Sequence, residues 1–60
     1  MKIEKDDLIE IECKGIMVSG KVLSAINYGG KDGWYIEFLS ESGDYHYWKQ
    51  GKDGGKVILK

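Results

Sequence analysis

The chain has 60 residues, 42% of them hydrophobic and 32% charged, and its 9 lysines against 10 acidic residues leave a net charge of −1. A chain of this length forms one domain at most, because it buries only about 60% of its unfolded surface. One cysteine excludes a disulfide framework and the usual zinc patterns, and the ordinary balance of charged and apolar residues excludes an intrinsically disordered chain.

Alternation of period two runs along the sequence, without a sustained helical period. Leu8-Ile9-Glu10-Ile11-Glu12-Cys13 predicts a half-buried strand with Ile9, Ile11 and Cys13 on its inner face. Lys14-Gly15 predicts a tight turn. A long second strand follows, with Ile16, Val18, Val22 and Ile26 inward and a bend or bulge at Gly20, where no side chain stands. Residues 27–33 form the longest loop, rich in glycine. Trp34 to Leu39 predicts a third strand, with Trp34, Ile36 and Phe38 inward and Tyr35 and Glu37 outward. A polar hairpin loop at Ser40–Asp44 leads into a fourth strand, 45–50, in which either Tyr45 and Tyr47 or His46 and Trp48 face solvent. After a turn at 51–55, Lys56 to Lys60 predicts a short last strand. The expected core is Ile9, Ile11, Val18, Val22, Trp34, Ile36, Phe38, Val57 and Leu59, and helix is confined to a single turn near 3–7 or 50–53.

Asp7-Leu8-Ile9-Glu10-Ile11, Ser19-Gly20-Lys21-Val22 and Gly33-Trp34-Tyr35-Ile36-Glu37-Phe38, followed by Gly43 and an aromatic strand, resemble the strands of an SH3-like small barrel of the Tudor, KOW and chromo-barrel kind. The resemblance covers most of residues 7–60. It implies an all-β domain of five strands closing into a small barrel, and a role in binding modified lysines, proline-rich peptides or nucleic acids. The first loop is only Lys14-Gly15, and the Ala-Leu-Tyr strand of proline-rich-peptide binders does not stand here.

No catalytic constellation assembles from these residues, so neither enzyme activity nor a cofactor nor a metal is expected. His46 and Cys13 lack a third orienting group. Glu10 and Glu12 share a solvated strand face. Gly51-Lys52-Asp53-Gly54-Gly55-Lys56 fails the phosphate-loop spacing, because Gln50 stands where its first glycine belongs. The residues Met1–Asp7 hold no apolar region of a signal peptide, and no apolar run exceeds three residues. With the free Cys13, a cytoplasmic setting without membrane contact is expected.

The informative surface is aromatic. Tyr28, Tyr35, Tyr45, Tyr47 and Trp48 are the candidate contacts for a protein partner or for self-association, since such side chains join apolar area to a polar handle. Tyr28, Tyr35 and Tyr47 also have the makings of an aromatic cage for a cation. The alternative is weak binding of single-stranded nucleic acid, with Lys49, Lys52 and Lys56 following phosphates beside the same rings. Two observations weigh against it. There is no arginine, and the acidic segment 1–12 can pair with the lysines of 49–60 inside the molecule.

Overall fold

The computed structural model describes residues 2–30 and 33–60. It contains strands β1 (Leu8–Cys13), β2 (Ile16–Asn27), β3 (Trp34–Ser40), β4 (Tyr45–Lys49) and β5 (Lys56–Leu59), with one helical turn, α1 (Gln50–Asp53), between the last two. The expected all-β class, the five strands and their boundaries agree with this to within a residue or two. Lys31 and Asp32, in the glycine-rich loop, lie outside the described residues.

All five strands form one antiparallel sheet in the order β4-β3-β2-β1-β5. The turn between β1 and β2 puts Lys14 and Gly15 both at positive φ, 53° and 81°. That is the two-residue geometry whose twist matches antiparallel strands. The long β2 serves two neighbours. Its first half, Ile16–Lys21, pairs with β1, and its second, Gly20–Asn27, pairs with β3. Gly20 lies at the changeover, opposite Ile9 on one side and Ser40 on the other. A Cβ there would stand 2.7 Å from the Phe38 ring and closer still to the Leu39 carbonyl. Only glycine lets β3 come this near.

The extra residue in β2 lies beyond Gly20. Register shifts between Val22 and Ser24, so Leu23 is the unpaired residue of a bulge. The bulge reverses the parity of the strand. Val22 is fully buried, yet Ala25, not Ile26, packs on the core, and Ile26 is 47% exposed. Ile16, at the hairpin tip, is 65% exposed. Two of the four residues expected inward on this strand therefore face solvent.

The core consists of Ile3, Ile9, Ile11, Val22, Trp34, Ile36, Phe38, Trp48 and Val57, with Val18 and Ala25 packed against it. Leu59, expected among these, is 40% exposed. Ile3 joins the core because the segment before β1 is tied to the bulge. The Asp6 N–H donates to the Val22 carbonyl at 2.8 Å, and the Val22 N–H donates to the Asp7 carbonyl at 2.9 Å.

Closure into a barrel, expected from the resemblance, is not seen: the sheet is open between β4 and β5. The chain leaves β4 through α1, and β5 is bound to β1 on the far side of the sheet. Side chains reach across the gap instead of a ladder. The Trp48 indole Nε1 donates to the Gly54 carbonyl at 3.1 Å, and Gln50 Nε2 donates to the Gly55 carbonyl at 3.5 Å.

Candidate functional site

The β3–β4 register decides which aromatics face out. Tyr35 stands opposite Lys49, Glu37 opposite Tyr47 and Leu39 opposite Tyr45. These six share the outer face, because successive side chains of a strand alternate. Phe38 and Ile36 stand opposite His46 and Trp48 on the inner face. The ambiguity in the fourth strand is thereby resolved. Tyr45 and Tyr47 are 52% and 60% exposed, whereas Trp48 is 5% exposed. Trp48 is thus a core residue and leaves the set of candidate contacts. It is the better inner residue because its one polar atom finds the Gly54 carbonyl.

Tyr28 joins the outer face from the loop after β2. Its N–H donates to the Gly33 carbonyl at 2.9 Å. The Asn27 side chain holds the same loop, accepting from the Gly29 N–H at 2.8 Å and donating to the Gly30 carbonyl at 3.0 Å. The four tyrosines form one continuous chain of edge-to-face contacts. Ring centroids are 6.4 Å apart for Tyr28 and Tyr35, 5.5 Å for Tyr35 and Tyr47, and 5.5 Å for Tyr47 and Tyr45. This is the preferred geometry of rings whose edges are positive and faces negative. Lys49 Nζ lies 5.4 Å from the Tyr35 ring centroid, within cation–π range.

Glu37 sits inside this array, and the Tyr45 hydroxyl donates to it. That bond, followed by desolvation, raises the Tyr45 pKa. Desolvation and then the hydrogen bond with Tyr47 push Tyr35 up from 10.0 to about 12. Both phenols stay neutral at physiological pH.

Two shallow clefts adjoin the ladder. One of about 300 Å³ is lined by Tyr28, Trp34, Tyr35, Lys49 and Lys52 among others. A second, of about 280 Å³, lies between Tyr35, Tyr47, Lys49, Lys52 and Asp53. Lys49 and Lys52 therefore stand beside the rings. Lys56 does not: it is on β5 opposite Glu12, at the other end of the sheet. The acidic and basic strands do lie side by side, but among the described residues the ion pairs found are Lys2–Glu4, Lys21–Asp6 and Lys60–Glu41, at 3.7–3.8 Å on the surface.

The remaining chemistry-bearing side chains are scattered or engaged. Glu10 accepts from Ser19 Oγ at 3.3 Å. The half-buried Cys13 thiol donates to the Asp53 carbonyl at 2.9 Å. His46 stacks on Phe38, centroids 5.1 Å apart. His46 and Cys13 line a separate apolar groove of about 240 Å³ with Ile16, Val18, Phe38 and Trp48. Among the described residues no three His, Cys, Asp or Glu side chains converge as metal ligands would.

Sequence reasoning missed Glu37 and Leu39 as parts of the site. The outward parity of Tyr35 already implied both. The outer face of β3 and β4 thus offers apolar ring surface, neutral phenol donors, one engaged carboxylate and a two-lysine rim. No protein-family model matches the chain, no curated protein is significantly similar to it, and no solved structure matches it significantly.

Proposed function

We propose that this chain is a non-catalytic binding module built on a five-stranded sheet whose strands resemble those of SH3-like domains, and that it takes a protein segment on its tyrosine ladder. The observation that carries this reading is the unbroken run Tyr28–Tyr35–Tyr47–Tyr45 on one sheet face. Tyrosines supply broad, rigid contact area at low entropic cost, and the adjoining cleft gives a side chain somewhere to enter. Glu37 within the array tells against a polyanion and in favour of a peptide. A cytoplasmic setting accords with the free thiol of Cys13. Among the described residues no helix is long and apolar enough to cross a membrane.

Peptides selected on the native chain from a random library test the proposal. Their binding is expected to shift the amides of Tyr28, Tyr35 and 45–49 and to weaken at least tenfold in Tyr28→Ala. Tyr28 is 75% exposed, so this variant changes stability by no more than about 0.5 kcal/mol. Failure to select any peptide, or equal binding by Tyr28→Ala, refutes it.

One arrangement favours a second reading, weak binding of single-stranded nucleic acid. Lys49 lies against the Tyr35 ring, and Lys52 lines both clefts. Base stacking on such rings contributes roughly 1–3 kcal/mol per base. A mixed-sequence oligonucleotide then produces salt-sensitive amide shifts over 45–52. Absence of shifts at low salt removes this reading.

A further inference from the structure

The open sheet has two free edges, and their hydrogen-bonding parity differs. On β4, the Lys49 N–H donates to Asp53 Oδ2 at 3.0 Å, so it points away from β3. Across the hairpin loop, the Ser40 N–H donates to the Asp44 carbonyl at 2.8 Å. In an antiparallel pair, residues alternate between facing the neighbour and facing away. His46 and Trp48 therefore bond to β3, and the backbone groups of Tyr45 and Tyr47 point to the open edge. No other backbone or side-chain partner of those groups is found among the described residues. On β5, the Lys60 N–H donates to the Leu8 carbonyl at 2.9 Å. Lys56 and Ile58 thus face β1, and Val57 and Leu59 present the free groups.

We infer that β4 is a self-pairing edge that joins two copies of this chain, antiparallel, about a two-fold axis at His46. In this register Tyr45 stands opposite Tyr47 of the second copy and exchanges both backbone bonds with it. The two-fold repeats the exchange, so the four free N–H and C=O groups of each edge are satisfied together. The Lys49 N–H stays with Asp53, and α1 ends the pairing just beyond.

Two further features select this arrangement. Tyr45 and Tyr47 both point outward, so outer face meets outer face and the tyrosine ladder continues across the axis. Trp48 comes opposite Asp44, and Lys49 opposite Gly43, of the second copy. That places Asp44, in the turn of one copy, beside the Lys49–Lys52 end of the other. The competing pairings are poorer. β5 against β5 about Ile58 sets Lys56 opposite Lys60, a like-charge pair. β4 against β5 matches outward Tyr47 with inward, buried Val57, so the two sheets do not continue face to face.

The inference concerns backbone edges and stands apart from the ligand proposed for the tyrosine rings. Sedimentation of the native chain from micromolar to millimolar concentration tests it first. The mass is expected to rise toward twice the monomer and no further, since an isologous contact closes on itself. Tyr47→Pro deletes a bonding N–H at an edge position that tolerates proline, and is expected to remain monomeric. Register is read by oxidation in a Cys13→Ser background. His46→Cys places two thiols at a non-hydrogen-bonded pair with Cα atoms about 4.5 Å apart, within disulfide reach, and is expected to cross-link. Tyr47→Cys is expected to remain uncross-linked, because its neighbour is Tyr45. A monomer throughout the concentration series, assembly beyond a dimer, or cross-linking through position 47 in preference to 46 overturns the inference. Loss of peptide binding in Tyr28→Ala with an unchanged mass bears on the ligand alone.

Discussion

Both faces of the β3–β4 ribbon are aromatic, and they use their rings differently. Inside, Trp34, Phe38 and Trp48 pack with Ile36 against Ile9, Ile11 and Val22. Outside, four tyrosines touch one another edge to face and remain half-exposed or exposed. The partition follows the polar atoms. Phenylalanine has none, and the Trp48 indole has a single N–H that reaches the Gly54 carbonyl. A phenol oxygen both donates and accepts, and the outer face offers it Glu37, neighbouring hydroxyls and water. The aromatic share of this chain is therefore two populations, an inner one in which Phe38 has no polar atom and the Trp48 N–H is satisfied within the fold, and an outer one of hydroxyl-bearing rings.

Breaking the inner population has the largest expected effect. Phe38→Ala removes a ring 2% exposed and costs about 3–5 kcal/mol. A chain of this length has roughly 3–9 kcal/mol in total. Urea titration followed by tryptophan fluorescence is expected to show a chain mostly unfolded at room temperature or close to it. Trp48→Phe sharpens the contrast, since it keeps an aromatic ring in the core while removing the indole N–H together with part of the fused ring. The Gly54 carbonyl then loses its partner, and a loss of at least about 1 kcal/mol in the same titration is expected. The smallest effect belongs to the outer face. Tyr35 ionises at about 12 in the folded chain, against 10.0 ordinarily, and Tyr45 is raised as well. The sign follows from linkage. The stabilisation is fully present below pH 10 and disappears as pH rises through the folded values. The urea midpoint is expected to be flat through neutral pH and to fall above pH 10. Tyr45→Phe is expected to flatten part of that fall while moving the neutral-pH midpoint little.

Much of this was legible in the sequence, and the failures fall where local alternation carries no information. Ile9, Ile11, Trp34, Ile36 and Phe38 alternate without interruption, and all five are inward as alternation predicts. Alternation carries no mark of where the count slips. Val22-Leu23-Ser24 looks regular, yet Leu23 is the bulged residue, and everything after it changes face. In Tyr45-His46-Tyr47-Trp48 both parities are aromatic, so pattern alone could not assign the pairs. The register against Ile36 and Phe38 assigns them. Ile3 was unreadable because its burial depends on backbone bonds to Val22, nineteen positions away. The gap between β4 and β5 is likewise a matter of where strands end in space. Of the tyrosines, Tyr35 points outward as expected and Tyr45 and Tyr47 take the outward alternative, and their continuity with Tyr28 required the sheet to bring Tyr28 and Tyr45 to opposite ends of one row.

The position of β5 in the sheet has an entropic consequence. Hairpins β1–β2, β2–β3 and β3–β4 join neighbours in sequence and close short loops. β5 alone pairs with a strand more than forty residues earlier, Ile11 meeting Val57. Its docking carries the largest loop-closure entropy of the four pairings. Without it the outer edge of β1 is bare, with Ile9 and Ile11 beside it. Any state in which β5 is undocked therefore bares the β1 edge that this strand covers in the folded chain.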